Sequence, residues 1–310
     1  MMQLTIIGFG NQAQAWAQNL KDSGFGIRIG LRSGSPSFDH AKTMGFKCVD
    51  LESDEFYKAS IFALLIPDHL HKEFLEKYGK RFKTGSALLY AHGFSIVHHK
   101  FFEKYKSINH VLFAPKAIGT ELRRQFMLKG KLGAVYSMEH VSSNLEEIQS
   151  WMKDFAPALG INMGPYPTSF LRETQADLYS EQGLLCSVVP YTAKMMFEHL
   201  VQKGVEPELA YFECWHELKL IVNAMVDVGP EAFFNLISPN ALIGSEKGFQ
   251  KLMDQEFENK LQGLYQDIQS GQFEKEIPAV NIPELRETIK NRWKDSSLQK
   301  TFTSINEERK

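Results

Sequence analysis

The chain has 310 residues, room for two domains of ordinary size, and a composition typical of soluble globular proteins. Its formal net charge of −2 provides no basic excess for nucleic acid or an anionic membrane, so a small-molecule substrate is the expected partner, with neither nucleic acid nor membrane. Three cysteines (Cys48, Cys186, Cys214) at no zinc or redox spacing, an N-terminus without a basic leader, and no run of about 18 apolar residues make a reduced, cytoplasmic compartment the expectation.

Short apolar runs at 4–7, 27–31, 61–66, 87–90, 111–114 and 133–136 alternate with helix-like segments, which predicts a parallel, doubly wound α/β sheet. Gly8-Phe9-Gly10-Asn11-Gln12-Ala13 follows the first run and opens a helix, the context that a dinucleotide fingerprint requires. Gly8 and Gly10 permit a tight turn and close backbone approach, so a pyrophosphate can rest on the helix N-terminus at Asn11 and Gln12; Ala13 stands in for the third glycine. One strand later, where an acid would hold an NAD ribose, the chain reads Leu31-Arg32-Ser33-Gly34-Ser35-Pro36-Ser37. A cation and hydroxyls without a carboxylate favour NADP over NAD, with Arg32, Ser33 and Ser35 as the selecting residues.

Two more loops fall at carboxyl ends of predicted strands, where open α/β sheets bind ligands: Ala91-His92-Gly93-Phe94 and Ala114-Pro115-Lys116. His92 is a candidate proton donor or acceptor near neutral pH, and Lys116 a candidate for stabilising negative charge on a substrate oxygen. His69, His71, His98 and His99 have no partner pattern and are expected on the surface.

After Gly164-Pro165-Tyr166-Pro167 the strand rhythm stops and helical periodicity takes over, at 168–199 and 207–228, so a domain of residues 1–166 and an all-helical domain of residues 167–310 are expected. Further on, 250–270 is amphipathic, with Leu252, Phe257, Leu261, Leu264 and Ile268 on one stripe, and 283–293 reads as another short helix. Residues 304–310 are polar and expected to fray.

Within the helical half, Asp177 with Glu181 and Glu213 with Glu217 form two carboxylate pairs at i,i+4 spacing, each on one helix face. Solvated surface charge is the ordinary alternative. The first stripe, however, continues into Leu184, Leu185 and Val188, and the second runs from Leu209 to Leu220, Ile221 and Ala224, so the acids are expected on inward faces. Four oxygen donors without a Cys or His cluster point to a hard divalent cation, Mg²⁺ before the softer metals. Cys186 and Cys214, in apolar helical context, read as small buried hydrophobes.

From the GFGNQ loop through AHGF, the APK segment with Arg123-Arg124 behind it, ETQADLYSEQ and AYFECWHELKLIV, to IQSGQF near Gly271, the chain resembles ketol-acid reductoisomerase. This is the acetohydroxy acid isomeroreductase of branched-chain amino acid synthesis, and the likeness is to its short, class I form. The resemblance implies a Rossmann domain followed by an all-helical, knotted domain that dimerises and completes active sites shared between two subunits. It implies NADPH as hydride source and two Mg²⁺ ions held by Asp177, Glu181, Glu213 and Glu217, the second pair coming in the family from the partner subunit. Lys116 and His92 then match the active-site lysine and histidine, and Glu217 or Glu213 handles a proton. Ser238 contacts the substrate carboxylate, with Cys186 and Ala241 at the same substrate end. The implied reaction converts a 2-hydroxy-3-keto acid by a 1,2-alkyl shift to a 2-keto acid, which hydride reduces to a 2,3-dihydroxy acid.

Several positions depart from that pattern. Ala117-Ile118 stands for Gly-Pro, Ser187-Val188 for a Gly pair, and Pro239-Asn240-Ala241-Leu242-Ile243 for an Asn/Asp-Thr-Ala-Glu-Tyr run. Ile277-Pro278-Ala279-Val280-Asn281 likewise replaces an Asn, Gly and Arg-Pro pattern. The departures leave the cofactor and metal residues in place and fall mainly at the substrate end. An NADP-dependent keto- or hydroxy-acid reductase without the isomerase step, and a non-catalytic nucleotide-binding relative, are the alternative functions.

Overall fold

The computed structural model describes residues 2–307. Eight strands form one sheet in the order β3-β2-β1-β4-β5-β6-β7-β8. They are β1 (Leu4–Ile7), β2 (Ile27–Leu31), β3 (Cys48–Asp50), β4 (Ile61–Leu64), β5 (Ala87–Tyr90), β6 (Asn109–Pro115), β7 (Gly133–His140) and β8 (Met163–Pro167). The first six are parallel, whereas β7 runs antiparallel to β6 and β8 parallel to β7. The sheet is therefore mixed rather than wholly parallel. The central strands β1, β4 and β5 are buried along their whole length, as strands covered on both faces must be, while β7 is only intermittently buried. Two strands were not anticipated. β3 is only three residues long, and β8, with the sequence MGPYP, is largely exposed and carries no apolar alternation.

Successive side chains on the strands feed two cores, one on each face. Leu4 and Ile6 join Trp16, Leu20, Phe113 and Phe155; Ile7, Leu64, Leu88 and Tyr90 join Phe74 and Phe101. Helix α1 (Asn11–Asp22) enters the first core through Ala13, Trp16, Ala17 and Leu20, an i, i+3, i+4, i+7 stripe. Ala13 is fully buried, so a methyl fits where the third glycine of the fingerprint usually stands. Helix α2 (Pro36–Thr43) follows β2, α3 (His71–Tyr78) follows β4 and α4 (Phe94–His99) follows β5. Because β1 is flanked by β2 and β4, the strand order reverses there, and the crevice beyond the carboxyl ends of β1 and β4 is the topological switch point.

The chain divides into two compact units between Thr174 and Gln175, inside the Phe170–Ser180 helix. Residues beyond 166 stay with the sheet because β8 pairs with β7 through Pro167 and Phe170 is buried in the second core. The second unit is helical, and its compact core is small: Phe197, Ala210, Tyr211 and Leu298. The amphipathic stretch expected at 250–270 is interrupted, since Asp254 accepts from Phe257 N and starts the Gln255–Gln269 helix afresh. The polar tail is ordered further than expected. Residues 304–307 continue the Ser297–Glu307 helix, held by Ile305 against that core, while 308–310 lie outside the described residues. Among the described residues no helix is long and apolar enough to cross a membrane.

Candidate active site

At the switch point Gly8 has φ +100°, and a Cβ there would lie 2.7 Å from the Leu65 carbonyl oxygen. Only glycine meets both demands. Gly10 precedes the first turn of α1, and a Cβ on it would meet nothing within 4 Å, so the backbone is open to an approaching group. The Gln14 amide donates to Phe9 O at 2.8 Å and braces the loop. A cavity of about 530 Å³ spans this crevice, lined by Gly8, Gly10, Arg32 and Ser35 among others. Ser35 Oγ accepts from Phe38 N and so caps α2, leaving its hydroxyl hydrogen to donate outward. Glycine backbone, helix N-termini, a guanidinium and hydroxyls form a donor set that fits a phosphorylated dinucleotide. Three predicted cofactor residues lie outside the cavity wall. Asn11 and Gln12 are packed by backbone against Gly119, where a Cβ would come within 2.4 Å of Asn11 O, and Ser33 N donates to Asp50 Oδ2 at 2.9 Å.

His92 and Lys116 extend from the carboxyl ends of β5 and β6 and meet at Glu173, a residue the sequence reading did not select. The Glu173 side chain is 1% exposed and accepts three times: from Lys116 Nζ at 2.7 Å on Oε1, and from His92 Nδ1 at 3.0 Å and Gly93 N at 2.8 Å on Oε2. Burial alone would raise its carboxyl, but the His92 hydrogen bond and charge, with Lys116, outweigh burial and hold it below the usual carboxylate range. A carboxylate can only accept, so the proton of this bond is on His92 Nδ1. Gly93 is required as well, because a Cβ there would lie 2.5 Å from Phe170 O. A signal for Glu173 was present: it stands four residues before Asp177 and extends the row Glu173, Asp177, Glu181 along one helix face.

Of the histidines expected on the surface, His71 is buried. Its ring bridges Ser95 Oγ at 2.6 Å and Ile66 O at 2.9 Å, tying the end of β4 to the start of α4, and burial lowers its pKa. His98 is exposed, as expected.

Both acid pairs adjoin π-helical turns, which the i,i+4 pattern does not reveal. Glu181 opens the π segment Glu181–Leu185, closed by Cys186 N donating to Glu181 O; Glu213 lies inside the segment Phe212–His216, and Glu217 starts the Glu217–Val228 helix. Such turns recur at functional sites because they re-aim side chains within a helix. Ser187 Oγ donates to Gln182 O, bracing the first turn. The expectation of inward faces needs correction for the isolated chain. Glu181, Glu213 and Glu217 are exposed, as are Leu184, Leu185, Leu220 and Ile221 beside them; the faces are apolar, but the described residues of one chain leave them uncovered. Cys186 is likewise exposed and Cys214 only half-buried, not the core positions expected. Partial desolvation nevertheless raises both thiols, which keeps them poor nucleophiles. Ser238 and Ala241 come together at an exposed helix start, Ser238 Oγ accepting from Ala241 N at 3.2 Å as the N-cap of the Pro239–Leu252 helix.

A glycine turn and a cation-bearing cavity at a sheet's switch point, on the edge that also carries a Lys-Glu-His cluster, define a dinucleotide-dependent oxidoreductase. Residues 2–164 match the family model for the acetohydroxy acid isomeroreductase NADPH-binding domain, and residues 170–308 that for the ketol-acid reductoisomerase C-terminal domain. The chain belongs to the ketol-acid reductoisomerase family and is an enzyme of that type. It is 35% identical over 303 residues to the ketol-acid reductoisomerase (NADP(+)) of Helicobacter acinonychis, covering 96% of this chain and 90% of the relative. To that of Methanococcus maripaludis it is 36% identical over 277 residues, covering 88% and 82%. The solved NADH-preferring ketol-acid reductoisomerase of an uncultured archaeon superposes with TM-score 0.86 and 27% identity, covering 99% of this chain and 94% of that one. A pyrroline carboxylate reductase of Plasmodium falciparum, at TM-score 0.56 and 14% identity over 87% of this chain and 99% of its own, shares the fold alone.

Proposed function

We propose that this enzyme, acting in the cytoplasm, converts a 2-hydroxy-3-keto acid of the 2-acetolactate type by alkyl migration and hydride transfer to a 2,3-dihydroxy acid, using NADPH and two Mg²⁺ ions. The observation that carries this reading is Glu173, which holds Lys116 and His92 on the sheet edge that carries the dinucleotide cavity and begins the acid row leading to Asp177 and Glu181. When bound, NADPH supplies hydride, and Mg²⁺ ions supply Lewis acidity toward the substrate's hydroxyl, ketone and carboxylate oxygens.

Glu173 is occupied by three donors, and Asp177, Glu181, Glu213 and Glu217 would be the acids that hold the metal. All four are hard oxygen donors, which suits Mg²⁺. Lys116 orients and stabilises developing negative charge on a substrate oxygen, while His92, held through Nδ1, presents Nε2 for proton exchange. Glu217 is the proposed proton acceptor for the substrate hydroxyl. The N-terminus of the Pro239–Leu252 helix, with Ser238 and Ala241, suits a substrate carboxylate, and Cys186 is assigned to the same substrate end.

Exposure of all three outer acids within apolar faces supports a homodimer in which a second copy covers these faces and shares the sites. The test is turnover of 2-acetolactate with NADPH, with and without EDTA, and with Glu213→Gln. Loss of turnover in both cases is expected, together with a dimer by light scattering. Turnover that survives EDTA sinks the metal reading, whereas reduction of a supplied 2-keto acid without turnover of 2-acetolactate would make the enzyme a simple reductase.

A further inference from the structure

The cavity wall holds a second cation that the nucleotide motif does not include. Lys77, on α3, lines the same cavity as Arg32 and Ser35, and among the described residues the only other charged one lining it is Glu73, one turn before it. We propose that Lys77 is a specificity-determining residue for the 2′-phosphate of the cofactor, acting with Arg32, which lines the same cavity; this rests on the NADPH reading above.

Three observations carry it. Lys77 Nζ is 2.8 Å from Glu52 Oε1, but the pair is more than half exposed, the class of ion pair that contributes little and yields to a better partner. Lys77 is its strongest partner but not its sole one: Tyr78 OH donates to Oε1 at 2.9 Å and Arg81 Nη1 to Oε2 at 3.1 Å. Lys77 can therefore turn to a bound phosphate while the carboxylate it leaves stays hydrogen-bonded and charge-paired. Lastly, the loop that carries Arg32 is tied to the segment on which Lys77 and Tyr78 of α3 rest. Asp50 accepts from Ser33 N at 2.9 Å and from Glu52 N at 2.7 Å, fixing the loop that carries Arg32 to the loop that carries Glu52. A dianionic phosphate between a guanidinium, a capped helix start and a mobile ammonium gains charge-assisted hydrogen bonds that a bare 2′-hydroxyl does not. Glu52 acts as the resident competitor, holding Lys77 when no phosphate is present.

The probes are adenosine 2′,5′-bisphosphate and adenosine 5′-monophosphate, which differ only in the 2′-phosphate, titrated calorimetrically into the full chain. Lys77→Met is expected to weaken the bisphosphate about 10-fold and the monophosphate less than 2-fold, the size of one partly exposed charged hydrogen bond. Lys77→Arg should retain the preference, and Glu52→Gln should tighten the bisphosphate alone. Lys77→Met affecting both nucleotides equally, or neither, overturns the proposal. If Arg32→Met weakens the bisphosphate selectively while Lys77→Met does not, the role of Lys77 falls and the NADPH reading stands. If the unsubstituted chain does not prefer the bisphosphate, both fall.

Discussion

Replacing Glu173 with glutamine keeps its size and removes its charge. The carboxylate accepts three hydrogen bonds and the amide has one acceptor oxygen. Turned one way, the amide keeps His92 and Gly93 but sets its NH₂ against the Lys116 ammonium; turned the other, it keeps Lys116 and leaves the buried Gly93 N–H facing a donor. Each uncompensated buried group costs about 1–3 kcal/mol, and breaking a buried ion pair about 3–5 kcal/mol. Lys116 is 41% exposed and can turn to water, which discounts the larger figure, so about 2–3 kcal/mol of destabilisation is expected in urea unfolding. With the lysine and histidine no longer held, kcat should fall about 100-fold, the usual result of a 1 Å misplacement. Binding of NADPH should be unchanged, because Glu173 does not line the cofactor cavity. The stability difference also has a pH signature. The folded Glu173 pKa is depressed, so its contribution is complete above the unfolded value of about 4.3 and is lost as pH falls through the lower folded value. A variant within about 0.5 kcal/mol of the parent and within 2-fold in kcat would refute the central role given to Glu173.

Gly8→Ala forces a Cβ to within 2.7 Å of Leu65 O at φ +100°, so NADPH fluorescence titration should show binding lost and thermal melting a lower Tm; unaltered binding would mean that the turn is not needed. His110 accepts from Tyr90 OH on Nδ1 and donates from Nε2 to Tyr105 O, and burial lowers its pKa to about 4. The folded state then binds fewer protons than the unfolded between about pH 6.5 and 4, and stability should fall by up to about 3 kcal/mol as pH drops through that window. His110→Gln should flatten the slope in urea titrations. Ser238→Ala removes a helix N-cap and should cost about 1 kcal/mol in stability while raising KM for 2-acetolactate more than it lowers kcat; an unchanged KM would separate Ser238 from substrate.

What the sequence made legible was local. The Gly8–Gly10 turn, the strand ends bearing His92 and Lys116, and the N-cap at Ser238 each depend on a few consecutive residues and the element they open. The sheet edges were less legible for the same reason. β3 is too short to show a pattern, β8 is held by backbone pairing at Gly133, Val135 and Tyr136 rather than by apolar side chains, and the direction of β7 is set by its connection. His71 is buried because Ile66 O and Ser95 Oγ satisfy both ring nitrogens, a pairing across 24 positions to Ser95 that no spacing rule contains. Glu173 was missed although its spacing from Asp177 was visible, since its three donors come from two loops 80 and 57 residues away.

The acid stripes show a different limit. Periodicity reports which face of a helix is covered in the working molecule, whereas burial in one chain reports what that chain covers by itself. At Leu184, Leu185, Leu220 and Ile221 the two disagree, each of the four being at least 40% exposed. A lone chain would leave these apolar side chains in water at roughly 25 cal/mol per Å², next to carboxylates it has no reason to keep among them. Covering the same faces with a second copy removes both difficulties: the leucines gain partners, and the carboxylates acquire the low-dielectric surroundings in which a divalent cation binds tightly. If the chain dimerises through these faces and binds Mg²⁺ there, as proposed, the two events would be coupled. Leu220→Glu, which charges the face without touching an acid, should weaken Mg²⁺ affinity and dimerisation together, and a variant that stays monomeric yet binds Mg²⁺ with parental affinity would show that one chain completes the site.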